Sequence, residues 1–215
     1  MNRKLSICFA SIVLLNSLII AQTKSIPPTI MNESNENSEK IPPDILVIYY
    51  SSTGNTGVMG EEIAKEFHAD VINIKSETYD EGIWTSFKAG LDAWNEERRC
   101  NIDPETVDVS KYRIIFLGSP IWWYRPAVPL WTFVEMNDFT GKRIVLFNTF
   151  NSRFKEEYIE EFKDLVEDKG GEFYDHIYVR RGRWYNQFDR DELVIQIKQL
   201  LDTRKVRWQS MILEE

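Results

Sequence analysis

The strongest constraint in this chain is one junction: the apolar run Ile45 to Tyr50 stops at Ser51-Ser52-Thr53-Gly54-Asn55-Thr56, and a helical pattern starts directly after it. A six-residue run rich in Ile, Val and Tyr is the length of a buried strand. Met59, Ile63 and Phe67 then recur every four residues, which sets them on one face of a helix. The junction is therefore a strand, a loop of small hydroxyl residues and a helix start.

The same alternation continues to the end of the chain. Strands are expected at Val71 to Ile74, Ile114 to Gly118, Ile144 to Asn148 and Phe173 to Val179. Between them, Ile83, Phe87, Leu91 and Trp94 form the stripe of a helix reaching about Glu96, and a short helix is expected around Leu130 to Met136. Ile159, Phe162 and Val166 mark a further helix, with Gly170 placed to end it in the left-handed conformation. The last helix opens at Asp189 with Glu192 three residues on, the capping-box spacing, and buries Leu193, Ile197 and Leu200 or Leu201. Five strands separated by helices predict a doubly wound α/β fold, a parallel sheet with helices on both faces.

Residues 1–21 read as a signal peptide: Arg3 and Lys4, an apolar stretch from Leu5 to Ala21, then polar residues. The competing reading, an uncleaved anchor, meets a run interrupted by Ser6, Ser11, Asn16 and Ser17 and barely long enough to span a bilayer. The expectation is an exported protein, periplasmic or secreted, with no stable membrane span after cleavage. Residues 22–43, rich in Pro, Ser, Asn and Glu, are expected to be a flexible leader, and residues 44–215 a single domain.

Losing Arg3 and Lys4 with the signal takes the net charge from -8 to -10, which argues against nucleic acid as a partner. Cys8 leaves too, so Cys100 has no internal disulfide partner and is expected to be a surface or half-buried thiol. With His68 and His176 as the only histidines, a zinc centre or a His-based triad has little support. The acids Glu156, Glu157, Glu160 and Glu161 alternate with Lys155 and Lys163 and read as a solvated helix face.

The chemistry is expected in three loops. Ser51 to Thr56 lies at a helix start, where unpaired backbone N-H groups and the helix dipole receive a phosphate, and Gly54 lets the ligand approach closely. The loop lacks the Lys of a nucleoside triphosphate site, and no Gly-x-Gly-x-x-Gly dinucleotide fingerprint is present. The third strand is followed by Gly118-Ser119-Pro120-Ile121-Trp122-Trp123-Tyr124-Arg125-Pro126, three consecutive aromatics between prolines. The fourth is followed by Asn148-Thr149-Phe150-Asn151-Ser152-Arg153. The plainer alternatives are a helix-capping turn for the first loop and a core or interface aromatic cluster for the second.

The pattern Ser51, Thr53, Gly54, Asn55, Thr56 resembles the phosphate loop of flavodoxins, and the Gly-x-Pro-Ile-Trp-Trp segment resembles the ring loop of a branch of flavodoxin-like proteins. The resemblance covers about Ile45 to Leu201. It implies flavin mononucleotide (FMN) as cofactor, with Ser51, Ser52, Thr53, Gly54, Asn55 and Thr56 around its phosphate. Pro120, Ile121, Trp122, Trp123 and Tyr124 would meet the ring, and Thr149 and Asn151 its polar edge. In the third loop, Phe150 and Asn151 stand where related proteins carry glycines. The implied activity is an FMN-dependent oxidoreductase passing electrons from a nicotinamide nucleotide or a redox protein to a quinone, another small molecule or a protein. The alternatives are a one-electron carrier without its own substrate and an interaction protein that has lost its flavin. Arg125, placed near the ring or in solvent, bears on that choice. Arg180, Arg181 and Arg183 form a positive patch that meets either an anionic partner or the neighbouring Asp189, Asp191 and Glu192.

Overall fold

A computed structural model describes residues 44–79, 99–183 and 185–213. The chain runs β1 (Ile45–Tyr50), α1 (Asn55–Phe67), β2 (Asp70–Ile74), β3 (Ile114–Trp122), β4 (Arg125–Pro126), α2 (Val128–Met136), β5 (Arg143–Phe150), α3 (Glu156–Asp168), β6 (Glu172–Arg180) and α4 (Arg190–Leu213). Five strands lie in the order β2-β1-β3-β5-β6, every neighbouring pair parallel. The fold is the expected doubly wound α/β sheet of the flavodoxin type. The signal, the leader and the helix expected from Ile83 to about Glu96 lie outside the described residues.

Alternation along the strands sorts the core into two layers. Leu46, Ile48, Tyr50, Ile115, Leu117 and Leu146 face α2 and α3, where Trp131, Phe133, Ile159 and Phe162 are buried. Val47, Tyr49, Phe116, Val145 and Phe147 face α1 and α4, meeting Met59, Ile63, Leu193, Ile197 and Trp208. All six residues of β1 are buried, as a central strand covered on both faces requires.

Two boundaries differ from expectation. β3 does not stop at Gly118 but continues to Trp122 and turns back as β4, which pairs with it antiparallel at Ile121↔Pro126 and Trp122↔Arg125. Prolines 120 and 126 obscured this hairpin, because neither residue supplies the N-H that marks a strand. The last helix is also longer than its stripe suggested. It runs on to Leu213 and buries Trp208 against Phe67 and Phe116. Trp208 Nε1 donates to Asp175 on β6 at 3.0 Å, while Arg204 and Arg207 approach the same carboxylate at 3.6 and 3.5 Å. The ion pairs Lys198–Glu62 and Lys205–Glu66 bind α4 beside α1 in parallel, which brings their N-termini to the same edge.

That edge is tied across three strands by a polar line. Asn148 on β5 donates through Nδ2 to the Ser119 carbonyl of β3 at 2.8 Å, and its Oδ1 lies 2.9 Å from His176 Nε2 on β6. The imidazole packs against Phe154 and Tyr178. Burial lowers its pKa from 6.5 to about 4, outweighing the opposing pull of Asp175; Arg204 adds a smaller push in the same direction.

Two expectations follow. Gly118 sits opposite Phe147 in the sheet, and a Cβ there would stand 2.0 Å from the Phe147 ring. Gly118→Ala should cost about 1–3 kcal/mol in denaturant unfolding, and adding Phe147→Leu should recover part of it. His176 is neutral in the fold and protonated in the unfolded chain between its two pKa values, so the unfolded state binds the extra proton. Its contribution is complete above pH 6.5 and is lost as pH falls toward 4, with a slope of up to about 1.4 kcal/mol per pH unit. His176→Gln should flatten the stability profile in that window, measured by urea melts at a series of pH values.

Candidate functional site

The order of the strands reverses at β1, which lies between β2 and β3, and the loops after β1, β3 and β5 meet at this switch point. In the first loop Gly54 adopts the left-handed conformation (φ 84°) and caps α1 with no side-chain hydrogen bond. No acid sits in the first turn of α1. The loop braces itself with side chains: Ser51 Oγ accepts from Gly57 N at 3.1 Å, and Asn55 Nδ2 donates to Thr53 Oγ1 at 3.1 Å. Among the described residues, the backbone N-H groups of Thr53, Gly54, Asn55 and Thr56 have no acceptor. Successive unsatisfied donors at a helix start form a concave positive surface that fits a phosphate and offers nothing to a cation.

The hairpin after β3 carries the aromatics. Trp123 (φ 45°) and Tyr124 (φ 75°) fill a two-residue turn with both central residues left-handed, the primed geometry that follows strand twist. Side chains other than Gly, Asn or Asp are costly there, about 1–2 kcal/mol per residue. Hydrogen bonds hold the turn in place. Ala127 N donates to the Pro120 carbonyl at 3.0 Å and lies 3.1 Å from Ser119 Oγ, and Lys155 N donates to the Tyr124 carbonyl at 3.0 Å.

The structure separates the three aromatics. Trp122 is half-buried, its ring meeting Tyr50 and Tyr79 edge-on at 5.6 and 5.2 Å. Trp123 stands at the tip with 50% of its surface exposed. Tyr124 turns toward the third loop, where the cations of Arg153 and Lys155 lie 5.2 and 5.9 Å from its ring centre. Pro120 and Ile121 are half-buried on β3.

The third loop is more occupied than its sequence suggested. Thr149 is buried, and its hydroxyl lies 2.8 Å from that of Thr56, joining this loop to the phosphate loop. Asn151 Oδ1 accepts from Gln187 Nε2 at 3.2 Å on the outer side. Phe150 packs with Phe154 and Tyr178. Thr149 and Asn151, expected to present polar groups to a ring edge, thus have partners within the protein.

Arg125 does not reach solvent. It is 1% exposed, and its guanidinium lies 4.8 Å from the Trp131 ring and 5.1 Å from that of Tyr158, a cation between two π faces beneath the hairpin. The Arg180 to Arg183 patch does not discharge onto its acidic neighbours either. Asp189 Oδ1 accepts from Glu192 N and Glu192 Oε2 from Asp189 N, the capping box, while Arg181 Nε donates to the Phe188 carbonyl at 3.0 Å. Among the described residues no ion pair joins Arg180, Arg181 or Arg183 to Asp189, Asp191 or Glu192.

One residue of this edge escaped the sequence reading. Arg190 opens α4, and its Nη1 lies 3.6 Å from the position a Cβ on Gly54 would take. The capping box located this residue at a helix start, but its nearness to Gly54 depends on α1 and α4 sharing one face of the sheet. Cys100, as expected, is a half-buried thiol, 3.6 Å from Thr132 Oγ1. No cluster of three metal-ligating side chains occurs among the described residues.

Similar proteins share this architecture. A flavoprotein of Lactobacillus acidophilus solved in complex with FMN is 23% identical, with a TM-score of 0.52 over 62% of this chain and 91% of that one. A protein of Bacteroides uniformis assigned as a flavoprotein is 20% identical, with a TM-score of 0.58 over 73% and 99% of the two chains. Its counterpart from Bacteroides eggerthii is 21% identical, with a TM-score of 0.57 over 74% and 96%. At these identities the likeness is one of fold. No protein among those of curated function matches significantly. The family model described as flavodoxin matches residues 44–187, from the start of β1 through the loop before α4. The chain therefore belongs to the flavodoxin family.

Proposed function

We propose that the protein binds FMN at the switch-point edge and works as an FMN-dependent oxidoreductase, taking electrons from a nicotinamide nucleotide and passing them to a quinone or similar acceptor. The observation that carries this reading is the run of unsatisfied N-H groups from Thr53 to Thr56 set beside a braced aromatic hairpin. One feature suits a phosphate and the other a flat apolar ring, and both sit where ligands bind in sheets of this kind. The Lactobacillus acidophilus relative, which holds FMN, is consistent with it.

Bound flavin would supply the redox chemistry. The residues of this chain hold and tune it. Thr53 to Thr56 would receive the phosphate through backbone donors, Trp122, packed on Tyr50 and Tyr79, would give a wall, and Trp123 an exposed apolar cover at the hairpin tip. Arg125 holds a positive charge beneath the same hairpin, in a dry setting where Coulomb attraction is strong. A cation so placed favours negative charge on a nearby ring, which supports two-electron chemistry over the alternative, a one-electron carrier with no substrate of its own.

Thr53 is exposed, so a charge placed there tests the phosphate site without disturbing the core. Thr56 is unsuitable, because its hydroxyl holds Thr149. Thr53→Asp should weaken FMN binding on the order of 100-fold through repulsion of the phosphate, with an unchanged melting temperature, as read by quenching of flavin fluorescence. Wild-type affinity in Thr53→Asp would overturn the phosphate assignment. Reductive titration followed by visible spectroscopy then separates the two activities: a single two-electron step supports the oxidoreductase, and two resolved one-electron steps support the carrier.

A further inference from the structure

The guanidinium of Arg190 is surrounded by acids and bonded to none. Asp189 precedes it, and Asp191 and Glu192 follow. The capping box explains why two of these do not capture it, since Asp189 Oδ1 is engaged by Glu192 N at 2.9 Å and Glu192 Oε2 by Asp189 N at 3.0 Å. Among the described residues, Arg190 makes no hydrogen bond, ion pair or ring contact. Its Nη1 lies instead 3.6 Å from where a Cβ on Gly54 would stand. The N-H groups of Thr53 to Thr56, which have no acceptor among the described residues, belong to the same turn.

We propose that Arg190 is a direct ligand of the cofactor's terminal phosphate, and that this contact makes the protein select phosphorylated flavin over riboflavin. The inference rests on the FMN reading above. A phosphate seated on the Gly54 turn brings up to two negative charges to a loop that contains no cation of its own. Backbone donors provide partial charges only. The chain as a whole is negative, so the field around the loop opposes a phosphate unless a local cation reverses it. Arg190 is placed to do so: its planar fork matches two phosphate oxygens, and its backbone is fixed in the first turn of a capped helix. The ion pairs Lys198–Glu62 and Lys205–Glu66 fix the alignment of α4 with α1, and hence the distance from Arg190 to Gly54.

The experiment measures dissociation constants of FMN and of riboflavin, by flavin fluorescence quenching, for the wild type, Arg190→Ala, Arg190→Lys and Arg183→Ala. Arg183 is an exposed arginine of the loop before α4 and controls for loss of general positive field. Arg190→Ala should weaken FMN roughly tenfold and leave riboflavin unchanged, with a shallower dependence of FMN affinity on salt. Arg190→Lys should retain part of the preference, and Arg183→Ala most of it. Thermal melts verify that each variant is folded. If Arg190→Ala keeps the wild-type preference for FMN, or loses affinity for both flavins equally, the proposal is overturned while the FMN site stands. If the wild type itself shows no preference between the two flavins, the phosphate-site reading falls and this proposal with it.

Discussion

A parallel sheet has to bury both of its faces, because the crossovers that join its strands must pass over one face or the other. In this chain the requirement is met by α1 and α4 on one side and α2 and α3 on the other, with β1 buried along its whole length. Placement of the site follows from that constraint. Since every strand of the path points the same way, each following helix starts at the same edge, and the unsatisfied donors of helix starts accumulate there. The order reversal at β1 sets the loops after β1 and β3 at one switch point, where Trp122 of the aromatic hairpin meets Tyr50 at the end of β1.

The residues that make this edge distinctive are held in place by hydrogen bonds from their flanks and from the strands beneath. The left-handed pair Trp123 and Tyr124 would relax in an isolated hairpin. It persists because the turn is bonded on both flanks, by Lys155 N to the Tyr124 carbonyl and by Ala127 N to the Pro120 carbonyl. Asn148 anchors the strand beneath, and His176, kept neutral by burial, anchors Asn148. Strain at the tip is therefore offset by ordinary hydrogen bonds along the base.

Much of this was legible in the residues. Strand length, helical stripes and the capping box at Asp189 gave the elements along the chain and the two-faced parallel sheet, because each is a local pattern. The first loop was legible for the same reason: small hydroxyl residues and a glycine between a strand and a helical stripe mark a helix start, and Gly54 is left-handed there. What stayed hidden depends on pairing across distance. Nothing local says that Pro120 and Pro126 flank a hairpin, that Thr149 spends its hydroxyl on Thr56, or that Arg190 lies over Gly54. The burial of Arg125 was hidden as well: the sequence left it near a ring or in solvent, and only the fold sets Trp131 and Tyr158 around it.

The contact between Thr56 and Thr149 joins the first loop to the third through two hydroxyl groups, and either oxygen can be the donor. Unlike a bond from an amide to a carbonyl, such a bond has no built-in polarity, because each group carries one proton and two lone pairs. Rotating the two O-H bonds reverses its direction while every heavy atom stays in place. The seam between the loops is thus stiff in geometry and adjustable in electrostatics: its dipole can turn to follow a change of charge nearby. A joint of that kind lets the field at the seam relax without the loops having to move.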